Sequence, residues 1–455
     1  MKYRPLPQQK GAIKYGLKNP GCGLFLDPGD GKTSATLSII EILKKKKMIK
    51  NVLVCVTMNI LDLETWQNEI KKWEFKFTYT TLHGKRKDKE LVKDYDIYFI
   101  NYEGLYWLYQ NKKKWEKKID VLVLDESTRV KSFKSQRFKI LKKLRHCFTR
   151  VIALTGTPSP QSLMDLFSQI YLLDEGERLG AFIGRYRNEY FDPCGYKGYD
   201  YQLQEGAEKR IYKKIKDIVY RPSKDYLKIP KEKYNDIIIT LPNKLMKQYE
   251  ELENEFIAEL ENGTITAATA GIASQKLRQF SNGRVYDETR KIIHVHNYKL
   301  NVAIDIVEEL QGNPVLIGYE FKHDLQALQE AFPNAPFFGT TLEGKKPNKN
   351  RKLEIQTAWN AGKIPVLLGQ ISSVAHGLNI QESGHNLFVY SHIYKLEDVI
   401  QFVRRLRRQG QKKRVMVHRP ICKDTIDQDI INIQAKKNKT QNALLNAMRK
   451  RIANK

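Results

Sequence analysis

Cysteine is scarce in this chain: Cys22, Cys55, Cys147, Cys194 and Cys422 are the whole set in 455 residues. No two of them fall at a metal-ligand spacing, which argues against a zinc module, and so few thiols fit a reducing compartment. No apolar run is long enough to span a bilayer. The opening stretch MKYRPLPQQKG lacks the apolar segment of a secretion signal. A cytoplasmic protein with no membrane partner is therefore expected. Acidic residues are in deficit: 51 Asp and Glu stand against 79 Lys and Arg, a formal net charge of +28. That excess favours a polyanionic partner, because cations that neutralise phosphates release counterions. A solvated lysine-rich surface explains the same excess, and runs such as Lys44–Lys47 suit it. No internal sequence repeat is found.

What is present is enough apolar sequence, 41% of residues, to build real cores. In the first half the runs GLFL, NVLVCV, DIYFINY, DVLVLDE and RVIALTG are apolar with few interruptions. Such runs suit strands buried on both faces, as in a parallel sheet, and the segments between them carry helix formers. The expected class is α/β, doubly wound. The stretch LMKQYEELENEFIAELENG differs, with Leu245, Tyr249, Leu252, Phe256 and Leu260 at helical spacing. Strand-like runs then resume as PVLIGY, APFFGT, IPVLLG, NLFVYS and RVMVHRP. Two α/β units are expected, 1–225 and 226–455, joined between Tyr220 and Asn235, with a helical insertion at about 243–282 in the second. The polar stretch after Asp429 reads as a terminal helix, and the His294–Val295–His296 alternation as an exposed strand face.

The stretch GLFLDPGDGKTSATL, Gly23 to Leu37, reads as strand, tight loop and helix. In that setting the backbone N–H groups of Gly29, Asp30, Gly31, Lys32, Thr33 and Ser34 can wrap phosphate oxygens at a helix N-terminus. Lys32 would reach the β- and γ-phosphates of a nucleotide, and Thr33 would ligate Mg²⁺. The strict G-x-x-x-x-G-K-T form wants a small residue where Leu26 stands. A glycine turn without ligand remains the other reading of this loop by itself. Further on, VLVLDES puts Asp125 and Glu126 at the end of a buried strand, where paired carboxylates are expensive unless a cation is near. Asp125 then suits Mg²⁺ and Glu126 the attacking water, whereas acidic capping of a helix is the structural alternative. In ALTGTPSP, Thr155 and Thr157 either link this site to a moving element or simply end a strand. Arg405 and Arg408 lie three apart in QFVRRLRRQGQKKR, on one face if helical. Both a phosphate-stabilising pair and a basic nucleic-acid patch fit them, and composition alone favours the patch.

The order of these motifs resembles helicase superfamily two, and within it the Swi/Snf-type ATP-dependent DNA translocases, most like compact phage or bacterial members. RPLPQQKGAIKYGL resembles the family's opening segment, with Gln8 in the adenine-reading position. VLVCVTMNILDLETWQNEIKKW is similar to its next block, through Trp66, Glu69 and Trp73. DESTRVKS matches at Asp125, Glu126, Arg129 and Lys131, although Thr128 replaces the usual His and Ser132 the usual Asn. GLNIQESGHNLFVYS resembles motif V, with Val374 and Ala375 where glycines are usual. QFVRRLRRQGQ resembles motif VI at Gln401, Arg405, Arg408, Gly410 and Gln411, with Arg404 replacing a usual Gly.

The resemblance implies two RecA-like lobes that sandwich ATP–Mg²⁺. Gln8, Lys32, Thr33, Asp125 and Glu126 would come from the first, and Gln401, Arg405 and Arg408 from the second. It also implies contacts to duplex DNA, made at phosphates without sequence specificity. They would come from Met58 and Asn59, Asn101 and Tyr102, Gly339, Thr340 and Thr341, and Ser372 with Ser373. The implied function is a DNA-stimulated ATPase tracking along duplex, in the host cytoplasm if phage-encoded. The alternatives are a strand-separating helicase on single-stranded DNA or RNA, and a nucleic-acid-binding scaffold with a degenerate nucleotide site.

Overall fold

The structure is a computed structural model that describes residues 3–26, 29–156, 158–159, 162–194, 200–222, 230–261, 267–287, 289–341, 344, 348–374, 378–408 and 410–435. The chain divides into two compact units, Met1–Lys228 and Ile229–Lys455. The first contains β1 (Gly21–Leu24), β2 (Asn51–Val56), β3 (Tyr79–Thr81), β4 (Ile97–Asn101), β5 (Ile119–Asp125) and β6 (Arg150–Leu154). An antiparallel pair follows, β7 (Phe191–Cys194) with β8 (Asp200–Leu203), and then β9 (Val219–Tyr220). Seven of these form one sheet in the order β3-β4-β2-β5-β6-β1-β9, parallel at every pairing.

The apolar runs explain this sheet. Every residue of β2 is buried, and its side chains alternate between two cores. Val52, Val54 and Val56 join one cluster; Leu53 and Cys55 join the other. A strand covered on both faces has no polar alternation to show, and parallel strands need that double cover. The first strand pairs two residues earlier than its apolar run suggests: Phe25 and Leu26 stay buried but lie beyond β1. The edge strands β3 and β9 are short and only half-buried, so no apolar run announces them.

The second unit has β10 (Lys233–Ile239), β11 (Arg284–Tyr286), β12 (Ile292–His294), β13 (Val315–Tyr319), β14 (Phe337–Phe338), β15 (Val366–Gln370), β16 (Asn386–Val389) and β17 (Met416–Cys422). Six form a second parallel sheet, ordered β10-β17-β16-β13-β15-β14, and β11 pairs antiparallel with β12. The α/β, doubly wound class with a helical insertion is what the sequence implied. β10 begins within the stretch read as a joint and was not expected as a strand, because an edge strand exposed over most of its length carries no buried run. The insertion is two helices, Asn243–Glu261 and Ala267–Asn282. Tyr249, Leu277 and Phe280 pack with Ile426 and Ile430 of the helix Ile426–Ala435. The rest of the expected terminal helix lies outside the described residues, and so does the segment 223–229.

His294 is exposed as expected, but His296 is not: it is 5% exposed, beside the Phe280 ring. The chain leaves β12 at His294, so the alternation stops before His296. Burial pushes His296 down to about 4, and does the same to His392, whose Nε2 lies 2.7 Å from the Pro420 carbonyl. In the unfolded chain each would titrate near about 6.5. The unfolded state therefore takes up these protons first, so stability is full above that value and falls as pH drops towards 4. Each imidazole contributes up to about 3 kcal/mol across that window. The free energy of urea unfolding should fall over that interval; a flat profile would mean that the fold does not hold these imidazoles neutral.

Candidate functional site

In the first unit the loop after β1 ends at Gly31, which caps the helix Lys32–Lys45 in a left-handed conformation, φ 74°. Gly29 is also left-handed, φ 95°. A Cβ on Gly31 would stand 2.0 Å from Gln9 Nε2, which donates to the Asp30 carbonyl at 2.9 Å. The left-handed backbone favours glycine there, and a larger residue would also have to displace the Gln9 amide. Lys32 Nζ donates to the Leu26 carbonyl at 2.9 Å, so the ammonium is held at the loop's start. Leu26 itself is fully buried, which accounts for a large residue where a small one is usual: the side chain fills the core. The first N–H groups of the Lys32–Lys45 helix have no carbonyl a turn earlier in that helix, and its dipole favours an anion. Gln8 is buried, and its Nε2 has no hydrogen-bond partner among the described residues. Asp27 and Pro28 lie outside the described residues.

Asp125 is the last residue of β5, and β6 alone separates β5 from β1 in the sheet. Because all three are parallel, the carboxylates and the loop leave the sheet at the same carboxyl edge, where open α/β sheets bind ligands. Asp125 Oδ2 accepts from the Trp66 indole N–H at 2.8 Å. The Tyr102 hydroxyl donates to the Asp125 carbonyl at 2.7 Å. Glu126 follows with φ 53° and ψ 58°, a left-handed non-glycine conformation that costs about 1–3 kcal/mol. Its Oε2 is buried with no hydrogen-bond partner among the described residues.

Burial first, and Glu126 second, push the Asp125 carboxyl up; the Trp66 N–H and the Lys32 charge act against them. Two adjacent buried carboxylates so placed want more positive charge than Lys32 provides. Among the described residues no three His, Cys, Asp or Glu side chains form a group able to hold a metal. Mg²⁺ suits such a place, because it takes one or two carboxylates together with substrate phosphates. Asp125 is a carboxylate of that kind.

The other predicted positions fall as follows. Met58 and Asn59 are half-buried at the start of the helix after β2. Asn101 ends β4 and Tyr102 follows it; both are buried, so Tyr102 faces Asp125 instead of solvent. Gly339, Thr340 and Thr341 follow β14, and Ser372 and Ser373 follow β15. Ser372 is exposed, while Ser373 Oγ donates to Gln370 Oε1 at 3.1 Å.

In the second unit Gln401 is fully buried in the helix Leu396–Val403. That helix stops before the arginines, which therefore do not share a helical face. Tight turns take over, with Leu406 N bonding Val403 O at 3.2 Å and Arg408 N bonding Leu406 O at 3.1 Å. The turns bring both guanidiniums to one acceptor all the same. Arg405 and Arg408 donate through Nη1 to the Leu378 carbonyl at 2.9 and 3.0 Å, and Arg408 also to Asn379 Oδ1 at 2.6 Å. Val374 is fully buried; Ala375, Thr157 and Pro160 lie outside the described residues.

Sequence reasoning did not single out Gln9 as the brace of the loop, nor Trp66 and Tyr102 as holders of Asp125. Their partners are 21, 59 and 23 residues away, so no local spacing reports them.

The SNF2-related domain pattern matches residues 11–288. The chain is similar to protein p41 of Acyrthosiphon pisum secondary endosymbiont phage 1, 31% identical over 99% of each chain. It is similar to the uncharacterized ATP-dependent helicase MG018 of Mycoplasma genitalium, 24% identical over 91% of this chain and 39% of that one. It is also similar to the CHD3-type chromatin-remodeling factor PICKLE of Arabidopsis thaliana, 21% identical over 90% of this chain and 32% of that one. The chain thus spans the phage relative fully and well under half of the other two. Among solved structures, a Sulfolobus solfataricus SWI2/SNF2 ATPase core in complex with dsDNA aligns at 20% identity, over 96% of this chain and 92% of that one, with a TM-score of 0.45.

Proposed function

The chain belongs to the SNF2-related family, and from that premise we propose that it hydrolyses ATP and couples the hydrolysis to tracking along duplex DNA. The observation that carries the reading is the pairing, at one sheet edge, of a glycine loop ending in Lys32 and Thr33 with buried Asp125 and Glu126. Gln8 offers its unmatched amide donor to the base. The loop amides and the helix start hold phosphate oxygens, and Lys32 leaves the Leu26 carbonyl for the terminal phosphates. Mg²⁺, when bound through Asp125 and Thr33, neutralises phosphate charge. Glu126 orients the attacking water and accepts its proton. Arg405 and Arg408 meet the charge that develops on the transferred group.

The net charge of +28 supports a nucleic-acid partner. The residues after β2, β14 and β15 are proposed to grip phosphates without reading bases; buried Asn101 and Tyr102 are not available for it. The phage origin of p41 supports action in a host cytoplasm.

The test is ATP hydrolysis by the full chain alone, with single-stranded DNA, with duplex DNA and with RNA, at several salt concentrations. Duplex should stimulate most, and stimulation should fall steeply with salt. Preference for single strands or RNA, with release of a labelled strand, would replace tracking by unwinding. Nucleic-acid binding without hydrolysis in any condition would leave only a scaffold.

A further inference from the structure

Gln169 lies outside every motif used so far, yet it is fully buried within the helix Leu166–Asp174, close to the carboxylate turn. Its Oε1 accepts from the Ser127 hydroxyl at 2.7 Å. Its Nε2 donates to the Pro158 carbonyl at 2.6 Å and to the Asp165 carbonyl at 2.8 Å. Both amide hydrogens and the amide oxygen are thus engaged, and Ser127 is fully buried as well. Ser127 directly follows Glu126, whose left-handed backbone is unfavourable for a side chain of that kind. Such a conformation persists only where its surroundings over-determine it.

The surroundings do so here. The Tyr102 hydroxyl fixes the carbonyl before Glu126, the Trp66 indole fixes the Asp125 side chain, and Arg129 N bonds the Glu126 carbonyl at 2.9 Å. These three act on the turn from the residue after β4, from the helix Thr65–Lys72 and from its own next residues. Gln169 joins the turn, through Ser127, to the Pro158 carbonyl beyond the end of β6. A bland packing role for a buried glutamine is satisfied by any arrangement that pairs its three sites. What sets this one apart is its partners: one on the residue beside the candidate base, one on the loop beyond the next strand.

We propose that Gln169 is a positioning residue that, through Ser127, holds the Glu126 turn in its left-handed form and ties it to the Pro158 segment. The inference rests on the reading of Glu126 as the group that activates water. Gln169 touches neither nucleotide nor water in this account; it fixes where the Glu126 carboxylate points. Loss of the Ser127 link frees the turn to relax towards ordinary backbone angles, and the carboxylate swings off line.

The test compares Ser127→Ala, Ser127→Thr and Gln169→Leu with the unaltered chain. The measurements are steady-state ATP hydrolysis, affinity for a fluorescent ATP analogue, and the thermal midpoint. Ser127→Ala should lower kcat about 10- to 100-fold, as a misplacement near 1 Å does, with analogue affinity unchanged. Ser127→Thr keeps the hydroxyl and should recover much of kcat. Gln169→Leu should match Ser127→Ala; if that variant does not fold, the Ser127 pair decides. Unchanged kcat in Ser127→Ala overturns the proposal. So does a kcat loss that tracks equal losses of analogue affinity and thermal midpoint, which marks a structural group only. If the unaltered chain hydrolyses no ATP while still binding the analogue, the functional reading fails and this inference falls with it. If the unaltered chain is active and Glu126→Gln is not, while Ser127→Ala is normal, the inference alone fails.

Discussion

Glu126→Gln is expected to slow ATP hydrolysis about 10²–10⁴-fold while leaving nucleotide binding intact. The substitution keeps the shape of a side chain that is 8% exposed but removes its ability to accept a proton. Its backbone, held left-handed at φ 53°, is equally open to glutamine, so the turn itself is not the variable. Asp125 would also lose its like-charged neighbour, which pushes its carboxyl up, so cation binding there should not weaken. Lys32→Ala makes the contrast. Its ammonium belongs to the phosphate loop, and its loss should weaken nucleotide binding as well as turnover. Single-turnover hydrolysis alongside titration with a fluorescent ATP analogue separates the two. A Glu126→Gln protein that turns over at the unaltered rate would place water activation elsewhere.

The second large effect concerns stability. Lys299→Met is expected to destabilise the chain by about 3–5 kcal/mol, the usual consequence of stranding one half of a buried ion pair. Lys299 and Asp427 are 0% and 1% exposed and stand 2.7 Å apart. Lys299 also donates to Asn282 Oδ1 at 2.9 Å. Asn282 Nδ2 in turn lies 3.1 Å from Asp324 Oδ1, and the Ser391 hydroxyl donates to Asp324 Oδ2 at 2.6 Å. One cation therefore anchors a chain of polar contacts running through the helix Ala267–Asn282, the helix Lys322–Ala331 and the end of β16. The double variant Lys299→Met with Asp427→Leu removes both charges and should lose far less, since no bare carboxylate remains. Urea unfolding of the single and double variants checks this. Equal losses in both would mean that packing, not charge, explains the effect.

Much of the fold was legible because parallel strands buried on both faces write themselves as unbroken apolar runs. NVLVCV and VLVLD are such runs, and both became central strands. β10 and β3 were not legible, because edge strands leave their side chains half in water. Of the candidate site, the glycines and the carboxylate pair were visible as local spacing. The convergence of Arg405 and Arg408 was visible too, but not its form: a helix was expected and turns onto the Leu378 carbonyl were found.

The sequence by itself determined where the glycine loop and the paired carboxylates fall. A left-handed loop needs Gly29 and Gly31, and a buried strand running into two acids announces itself in the four apolar letters before them. Only the tertiary structure decided how those residues are held. Trp66 on Asp125, Tyr102 behind it, Gln9 against Gly31 and Gln169 on Ser127 are bonds between segments 21 to 59 residues apart. Local sequence sets backbone preference and burial, whereas a hydrogen bond across strands depends on sheet order, which no stretch of residues contains.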